Sequence, residues 1–407
     1  MNAPDPALAG GAVARAGDRL RVMVVHNRYQ QAGGEDAVVR DEIALLEAHG
    51  VAVELYERSN DEIPQVPVWR LAAGTVWSQR TTVEIAERIA RFRPHVMHAH
   101  NTFPLISPSL YSAAARARVP VVQTLHNFRL FCAQAMFMRN GQVCEDCLGK
   151  LPWRGVLRRC YRSSASQSGV MVGMLAAHRA LGTYRKQVTR YIALNDFCRD
   201  KFIEAGLPAE RIVVKPNFVA MPAAPAAGER AGALFVGRLS VEKGVEVLVR
   251  AARLGTHTID VVGTGPEQSV FEHVAGVRMV GWLDPQAIYA RMRSAAYLVM
   301  PSIWYENFPR TLVEAYACGL PVIASRLGAM ADLVADGVTG LLFNAGDPED
   351  LARVMAWANA HPAEMRRMGE AARDKYAASY TPEANYAQLA AIYDECLTDD
   401  ARACTHA

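Results

Sequence analysis

The stretch YLVMPSIWYENFPRTLVEAYACGLPVIAS, residues 297–325, decides the fold. An apolar run, YLVM, leads into a loop and then to Pro309, a residue suited to the first turn of a helix. Gly319-Leu320-Pro321 closes that helix before a second apolar run, VIAS. Strand, helix, strand in this order, each strand apolar throughout, predicts parallel strands buried on both faces and joined by a crossover helix. Two glutamates ride on this unit, Glu306 in the loop and Glu314 in the helix, with seven residues between them.

The same alternation extends in both directions. Upstream it reads ALFVGR (233–238), TIDVVG (258–263) and VRMVGW (277–282), and downstream TGLLF (339–343). An earlier series comprises LRVMVVH (20–26), VAVELYE (51–57), HVMHAH (95–100), PVVQTLH (120–126) and RYIALN (190–195), with an amphipathic helix expected over 35–49. KPNFVAMPAAPAAGERAG, rich in Pro, Ala and Gly, separates the two series as a linker over 215–232. The expected organisation is a frayed tail at 1–18 and a Rossmann-like domain at 19–214 with a cysteine-containing insertion at 130–162. After the linker follow a second Rossmann-like domain at 233–378 and a last helix at 379–400. A chain of 407 residues exceeds what one hydrophobic core serves, which agrees with two doubly wound α/β domains. In such sheets ligands gather beyond the carboxyl ends of the strands, so chemistry is expected in a cleft where the loops meet.

Bulk properties narrow the field. A net charge of +3 is too small to imply nucleic acid as a partner. No run of about 18 apolar residues offers a spanning helix, and MNAPDPALAGGAVARAGDRL lacks the apolar core of a secretion signal. Eight cysteines without such a signal read as reduced thiols, which places the chain in the cytoplasm.

The candidate site residues fall at strand ends. In FVGRLSVEKG (235–244), Arg238 and Lys243 are two cations beside a helix start, suited to a diphosphate or else simply solvated. Gly263 and Gly265 of VVGTGPE let backbone approach a ligand, or form a plain tight turn. Gly33 and Gly34 precede the first long helix, whose N–H groups suit a phosphate or a developing charge unless the pair is only a flexible loop. His126 ends a strand, where structural and functional readings both stand. Around Phe308, Pro309 and Arg310 the helix N-terminus offers amides to an anion, with Glu306 close to whatever that anion carries. Glu314 lies roughly 8 Å further along, at about 1.5 Å per residue, and reaches the other side. One carboxylate for a sugar, one for a ribose and a diphosphate between them describe a nucleotide-sugar.

Taken together, GGED (33–36), TLHNF (124–128), GRLSVEKG (237–244), VVGTGP (261–266) and the Glu-x7-Glu segment with AYACGLPVIAS behind it resemble family 4 of the retaining glycosyltransferases, also called group 1. That family has the two-domain GT-B fold. The resemblance implies transfer of a sugar from a nucleotide-diphosphate sugar to a glycan or lipid-linked acceptor, with retention of configuration, in surface polysaccharide or glycolipid synthesis. It implies no obligatory metal, an acceptor domain first and a nucleotide-sugar domain second, and a last helix that crosses back to the first domain. By position, Glu314 would bind the ribose hydroxyls and Glu306 the donor sugar. Arg238 and Lys243 would neutralise the diphosphate, assisted by the backbone at Asn307, Phe308 and Pro309. Gly33 and Gly34 would line the cleft and His126 would sit by the donor sugar. Two positions depart from the family's usual pattern: Asn127 follows His126 where Asp is common, and Asp332 stands where Glu is usual. A nucleotide-sugar epimerase on the same fold and a membrane-binding, non-catalytic scaffold are the alternatives.

Two features lie outside this pattern. Cys132, Cys144, Cys147 and Cys160 fall within 29 residues, the middle pair as Cys-x-x-Cys, which fits a tetrahedral structural zinc. A disulfide or four unrelated thiols fit as well. From Cys147 to Asn195 the chain has no Asp or Glu but nine Lys or Arg, interleaved with Trp153 and GVMVGMLAA (169–177). Such a segment suits peripheral contact with an anionic membrane at its inner face, or a solvated surface over a core helix.

Overall fold

The computed structural model describes residues 19–30, 33–221 and 230–405, with side chains to 398. The expected tail at 1–18 and the middle of the linker, 222–229, lie outside the described residues. By contacts the chain forms two compact units. One comprises the residues up to Thr124, Ala177–Ile192 and those from Tyr386 on; the other comprises Leu125–Ala176 and Ala193–Asn385.

Strands β1 (Arg21–Arg28), β2 (Ala52–Ser59), β3 (Val96–Ala99) and β4 (Val121–Thr124) are followed by a small hairpin, β5 (Met138–Arg139) and β6 (Gln142–Val143), and then by β7 (Arg190–Ala193) and β8 (Ile212–Val214). Apart from the antiparallel hairpin, they make a six-stranded sheet in the order β2-β1-β3-β4-β7-β8. Strands β9 (Ala233–Val236), β10 (Ile259–Val262), β11 (Val277–Gly281), β12 (Tyr297–Met300), β13 (Val322–Ser325) and β14 (Gly340–Phe343) make a second, in the order β11-β10-β9-β12-β13-β14. The strand order of the second sheet reverses between β9 and β12, whose pairing is parallel. A reversal of this kind opens a crevice at the carboxyl ends of the two strands. The opening stretch behaves as its composition dictates, with every residue of β12 and β13 buried.

The helix Gly34–Ala48 turns Val38, Val39, Leu45 and Leu46 inward, the spacing of one helical face. Glu42 shares that face and is also buried, 3.0 Å from His98 Nδ1 and 3.3 Å from His100 Nε2. His98 Nδ1 lies 2.7 Å from the Tyr393 hydroxyl and its Nε2 lies 2.8 Å from Thr124 Oγ1. The last helix, Pro382–Thr405, thereby joins the core of the first unit. At its start Asn385 takes a hydrogen bond from the buried Lys215 ammonium at 2.9 Å and donates to Pro216 O at 2.6 Å. No described helix is long and apolar enough to cross a membrane.

Burial, reinforced by the neighbouring His98, pushes the His100 pKa down to about 4 from an ordinary 6.5. Between those values the unfolded chain holds a proton that the folded unit does not, so stability falls as pH drops through that window. His100→Gln is expected to flatten the loss between pH 7 and 4 by about 1–3 kcal/mol. Urea midpoints across pH check this, and an unchanged slope would mean that His100 charges in place.

Candidate functional site

The crevice of the second sheet is built by three loops that follow β9, β10 and β12. After β9 the chain makes a short 3₁₀ turn, Val241–Lys243, and begins the helix Val245–Arg253 through Gly244 at φ +67°. A Cβ on Gly244 would stand 1.8 Å from Pro301 O, so glycine alone lets this turn lie against the end of β12. The Ile303 N–H bonds Glu242 O at 3.0 Å and secures the same junction. Lys243 is thereby delivered to Glu306, with Nζ 2.6 Å from Oε1. The sequence reading assigned these two side chains to different parts of a ligand; the structure brings them into direct contact.

Glu306 is buried and also accepts from Ser302 Oγ at 2.8 Å. The Lys243 ammonium lies 5.7 Å from the centre of the Trp304 ring, and the Trp304 indole N–H is buried without a hydrogen-bond partner. Arg238 is exposed and forms no ion pair among the described residues. It is the uncompensated cation of this loop.

Gly263 and Gly265 have a packing task. A Cβ on Gly263 would meet Gly237 O at 1.9 Å, and one on Gly265 would meet Leu239 O at 2.2 Å. Their loop lies across the strand end that presents Arg238, held by Leu239 N–H to Thr264 O and by Glu267 N–H to Leu239 O, each 3.0 Å.

Pro309 occupies the cap position ahead of the helix Arg310–Ala317, one residue before the first turn. Pro309 has no N–H of its own, and its carbonyl accepts the Leu312 N–H at 3.0 Å, which fixes the first turn of the helix. Phe308 stacks edge-on to Tyr380 at 5.9 Å. Asn307 is buried: its carbonyl accepts from the Asn195 side chain, and its own amide lies 3.6 Å from Cys198 Sγ. Arg310 Nε donates to Glu314 Oε1 at 3.0 Å, which orients Glu314 one turn into the helix. Asp332 accepts the Phe197 N–H at 3.2 Å, so the shorter carboxylate caps a neighbouring helix start.

Several of these supports escaped the sequence reading. Ser302 and Cys198 carried no signal at sequence level. Asn195 did carry one: it closes the β7 segment ahead of Asp196–Glu204 and caps that helix by accepting the Cys198 N–H at 2.8 Å.

The other predicted residues are carried by other elements. His126 is two residues beyond β4, partly exposed and counted with the second unit, while Asn127 closes a local turn by accepting the Arg129 N–H at 3.1 Å. Gly33 and Gly34 are exposed in the first unit with nothing within 4 Å of an added Cβ. The Gly33 N–H is already given to Asp36 Oδ2 at 2.9 Å, so the protein's own carboxylate takes the place expected for an anion. Burial works against the charge on Asp36, but hydrogen bonds from His26 and from the Gly33 and Tyr29 amides hold its carboxyl below the usual range. Cys132, Cys144, Cys147 and Cys160 are free and partly buried. In the basic segment Leu151, Trp153 and Leu157 are exposed, whereas Met171, Val172, Met174 and Leu175 are core. The run GVMVGMLAA is therefore a core helix face and not an apolar anchor.

Comparison with known proteins agrees with this architecture. The chain matches the family described as Glycosyl transferases group 1 over residues 230–359, and the Glycosyl transferase 4-like domain over residues 33–217. It is 25% identical to the D-inositol 3-phosphate glycosyltransferase of Segniliparus rotundus, over 98% of this chain and 95% of that one. An uncharacterised 41.2 kDa protein in the cps region of Klebsiella pneumoniae is 33% identical over 31% of this chain, a match spanning only 36% of that relative. Among solved structures, Alr3699/HepE of Anabaena, crystallised with UDP, shares the fold with a TM-score of 0.62 at 18% identity, over 91% of this chain and 98% of that one. With two parallel α/β sheets of the GT-B kind and family matches in both halves, the chain belongs to the group 1 glycosyl transferases.

Proposed function

We propose that the protein transfers a sugar from a nucleoside-diphosphate sugar to a glycan or lipid-linked acceptor, with retention at the anomeric carbon. The observation that carries this reading is the Lys243–Glu306 contact of 2.6 Å where the second sheet reverses, beside the unpaired Arg238. As the bond to the sugar breaks, negative charge gathers on the diphosphate. Arg238, Lys243 and the amides opening the Arg310–Ala317 helix meet that charge, which is the electrostatic work the reaction demands. The unpartnered indole N–H of Trp304 supplies a further donor to a ligand oxygen. Glu306, fixed by Ser302 and Lys243, receives sugar hydroxyls, and Glu314 receives the ribose. A departing phosphate oxygen takes the acceptor's proton on the same face, so no separate strong base is required. The UDP held by HepE, a protein of the same fold, supports a nucleotide donor.

A panel of nucleotide-sugars in a thermal-shift assay identifies the donor, since a cognate ligand raises apparent stability by mass action. NMR of the product is then expected to show the donor's anomeric configuration; inversion would overturn the reading. Glu314→Ala is expected to raise KM for the donor about tenfold or more while changing kcat less, because ribose contacts form in ground and transition states alike. A loss confined to kcat would move Glu314 to the reacting end. A surface polysaccharide or glycolipid acceptor at the inner face of the membrane agrees with the exposed Leu151, Trp153 and Leu157 among Lys150, Arg154, Arg158, Arg159 and Arg162. Flotation with liposomes tests this, and equal behaviour with neutral and anionic lipid would remove it.

A further inference from the structure

Cys132, Cys144, Cys147 and Cys160 all lie in the Leu125–Ala176 part of the second unit, and each is a free thiol. Local backbone bonds gather them from separate points of the insertion. Cys132 sits in a turn closed by its own N–H to Phe128 O and by the Ala135 N–H to Cys132 O, both 2.9 Å. The β5–β6 hairpin reverses through Asn140 and Gly141 and returns the chain so that the Cys144 N–H meets Phe137 O at 2.7 Å. The Cys-x-x-Cys segment then turns at once, with the Leu148 N–H bonded to Glu145 O at 2.9 Å. Further on, a Cβ on Gly155 would lie 3.3 Å from Ala133 Cβ and 4.0 Å from Cys160 Sγ, which sets Cys160 close to the residue after Cys132.

We propose that these four thiols bind one zinc ion as a tetrahedral structural centre, and that the ion thereby positions Glu145 beside the loop that carries Glu306. Four soft ligands converging without a disulfide suit one such centre. A zinc held by four thiolates carries two net negative charges. Arg158, 4.0 Å from Cys144 Sγ and paired with Asp146, lies where that charge would arise. Beyond the small hairpin and the one-turn helix Arg154–Leu157, the insertion has little regular structure between β4 and residue 160, so metal binding would contribute folding energy directly. Zinc–sulfur bonds of about 2.3 Å require the sulfurs to stand about 3.8 Å from one another, closer than they stand here, so metal binding must draw the four turns together.

Glu145 stands between Cys144 and Cys147 and so follows the metal. Its carboxylate is 2.8 Å from Lys201 Nζ and lies beside the Tyr305 hydroxyl, whose pKa burial and then this carboxylate push up to about 12. Phe128, four residues before Cys132, packs against Phe137 at 4.8 Å, Phe202 at 5.4 Å and Tyr305 at 6.4 Å. Tyr305 immediately precedes Glu306. The competing position for a metal is Glu42, His98 and His100, whose ligand atoms lie within 4.8 Å of one another, tighter than the sulfurs stand here. Both nitrogens of His98 already face Tyr393 and Thr124, however, which is the pattern of a closed polar network.

The metal assignment stands apart from the donor reading; only the positioning role rests on it. Elemental analysis of the full chain, purified under reductant from zinc-supplied cells, is expected to find stoichiometric zinc, released as the thiols are titrated with a mercurial. Cobalt in its place is expected to show thiolate-to-metal charge-transfer bands. The Cys144→Ser/Cys147→Ser double variant should lose the metal and His100→Ala should keep it. Zinc-free wild-type protein, or metal that follows His100 instead of the cysteines, overturns the proposal. Should the serine variant fail to fold, the metal content and cobalt spectrum of the wild type decide the matter. Removal of zinc is also expected to speed hydrogen exchange over residues 303–308, and unchanged exchange there overturns the positioning role alone.

Discussion

Lys243→Ala is expected to lower turnover by about 10²–10³, the usual consequence of removing one donor that meets developing charge. Arg238→Ala should cost a similar factor for the same reason, but the two variants should differ in stability. Arg238 is exposed and unpaired, so its loss should leave unfolding unchanged within about 0.5 kcal/mol. Loss of Lys243 strands the buried Glu306 with the Ser302 hydroxyl, at 2.8 Å, as its remaining side-chain partner among the described residues. An uncompensated buried carboxylate is costly, so Lys243→Ala should also destabilise the second unit. Adding Glu306→Gln should recover stability without recovering turnover. Initial rates with the cognate donor, together with urea unfolding, separate these effects. Wild-type turnover in either single variant would remove the diphosphate assignment.

Gly244→Ala is expected to destabilise the second unit by about 2–4 kcal/mol, combining left-handed backbone strain of about 1–2 kcal/mol with displacement of a neighbouring strand end. The added Cβ would fall 1.8 Å from Pro301 O, so the turn bearing Lys243 and the loop bearing Glu306 must separate. Turnover should collapse although every charged group is still present. Gly50→Ala is the comparison: its φ is +80° with nothing within 4 Å of an added Cβ, so it should show the strain without the separation. Urea midpoints followed by tryptophan fluorescence check both. Equal effects at Gly50 and Gly244 would show that the contact with Pro301 does not hold the site together.

Much of the architecture could be read from local pattern, because a strand buried on both faces in a parallel sheet must be apolar throughout. The runs 297–300 and 322–325 are β12 and β13 for that reason. Individual roles were harder to read. For Gly263 and Gly265 the sequence left a ligand turn and a plain tight turn both open; their missing Cβ atoms make room for the carbonyls of Gly237 and Leu239. Gly33 looked like an open anion seat, yet Asp36 occupies its N–H. In each case the deciding partner is backbone, or a side chain whose direction no spacing rule states.

By itself, then, the sequence determined the two series of parallel strands, the strand ends that carry Arg238, Lys243, Glu306 and Glu314, and a family resemblance that the matches over 33–217 and 230–359 establish. Periodicity and composition suffice for that, since burial acts on each residue within its own element. Only the tertiary structure decided that Lys243 grips Glu306, that Asn195 seats Asn307, that Glu145 reaches Lys201, and that His98 and Glu42 share a buried network with Tyr393. These pairs are far apart along the chain. Their contact depends on strand order and on hydrogen-bond distances of a few ångströms, which no residue's own preference encodes.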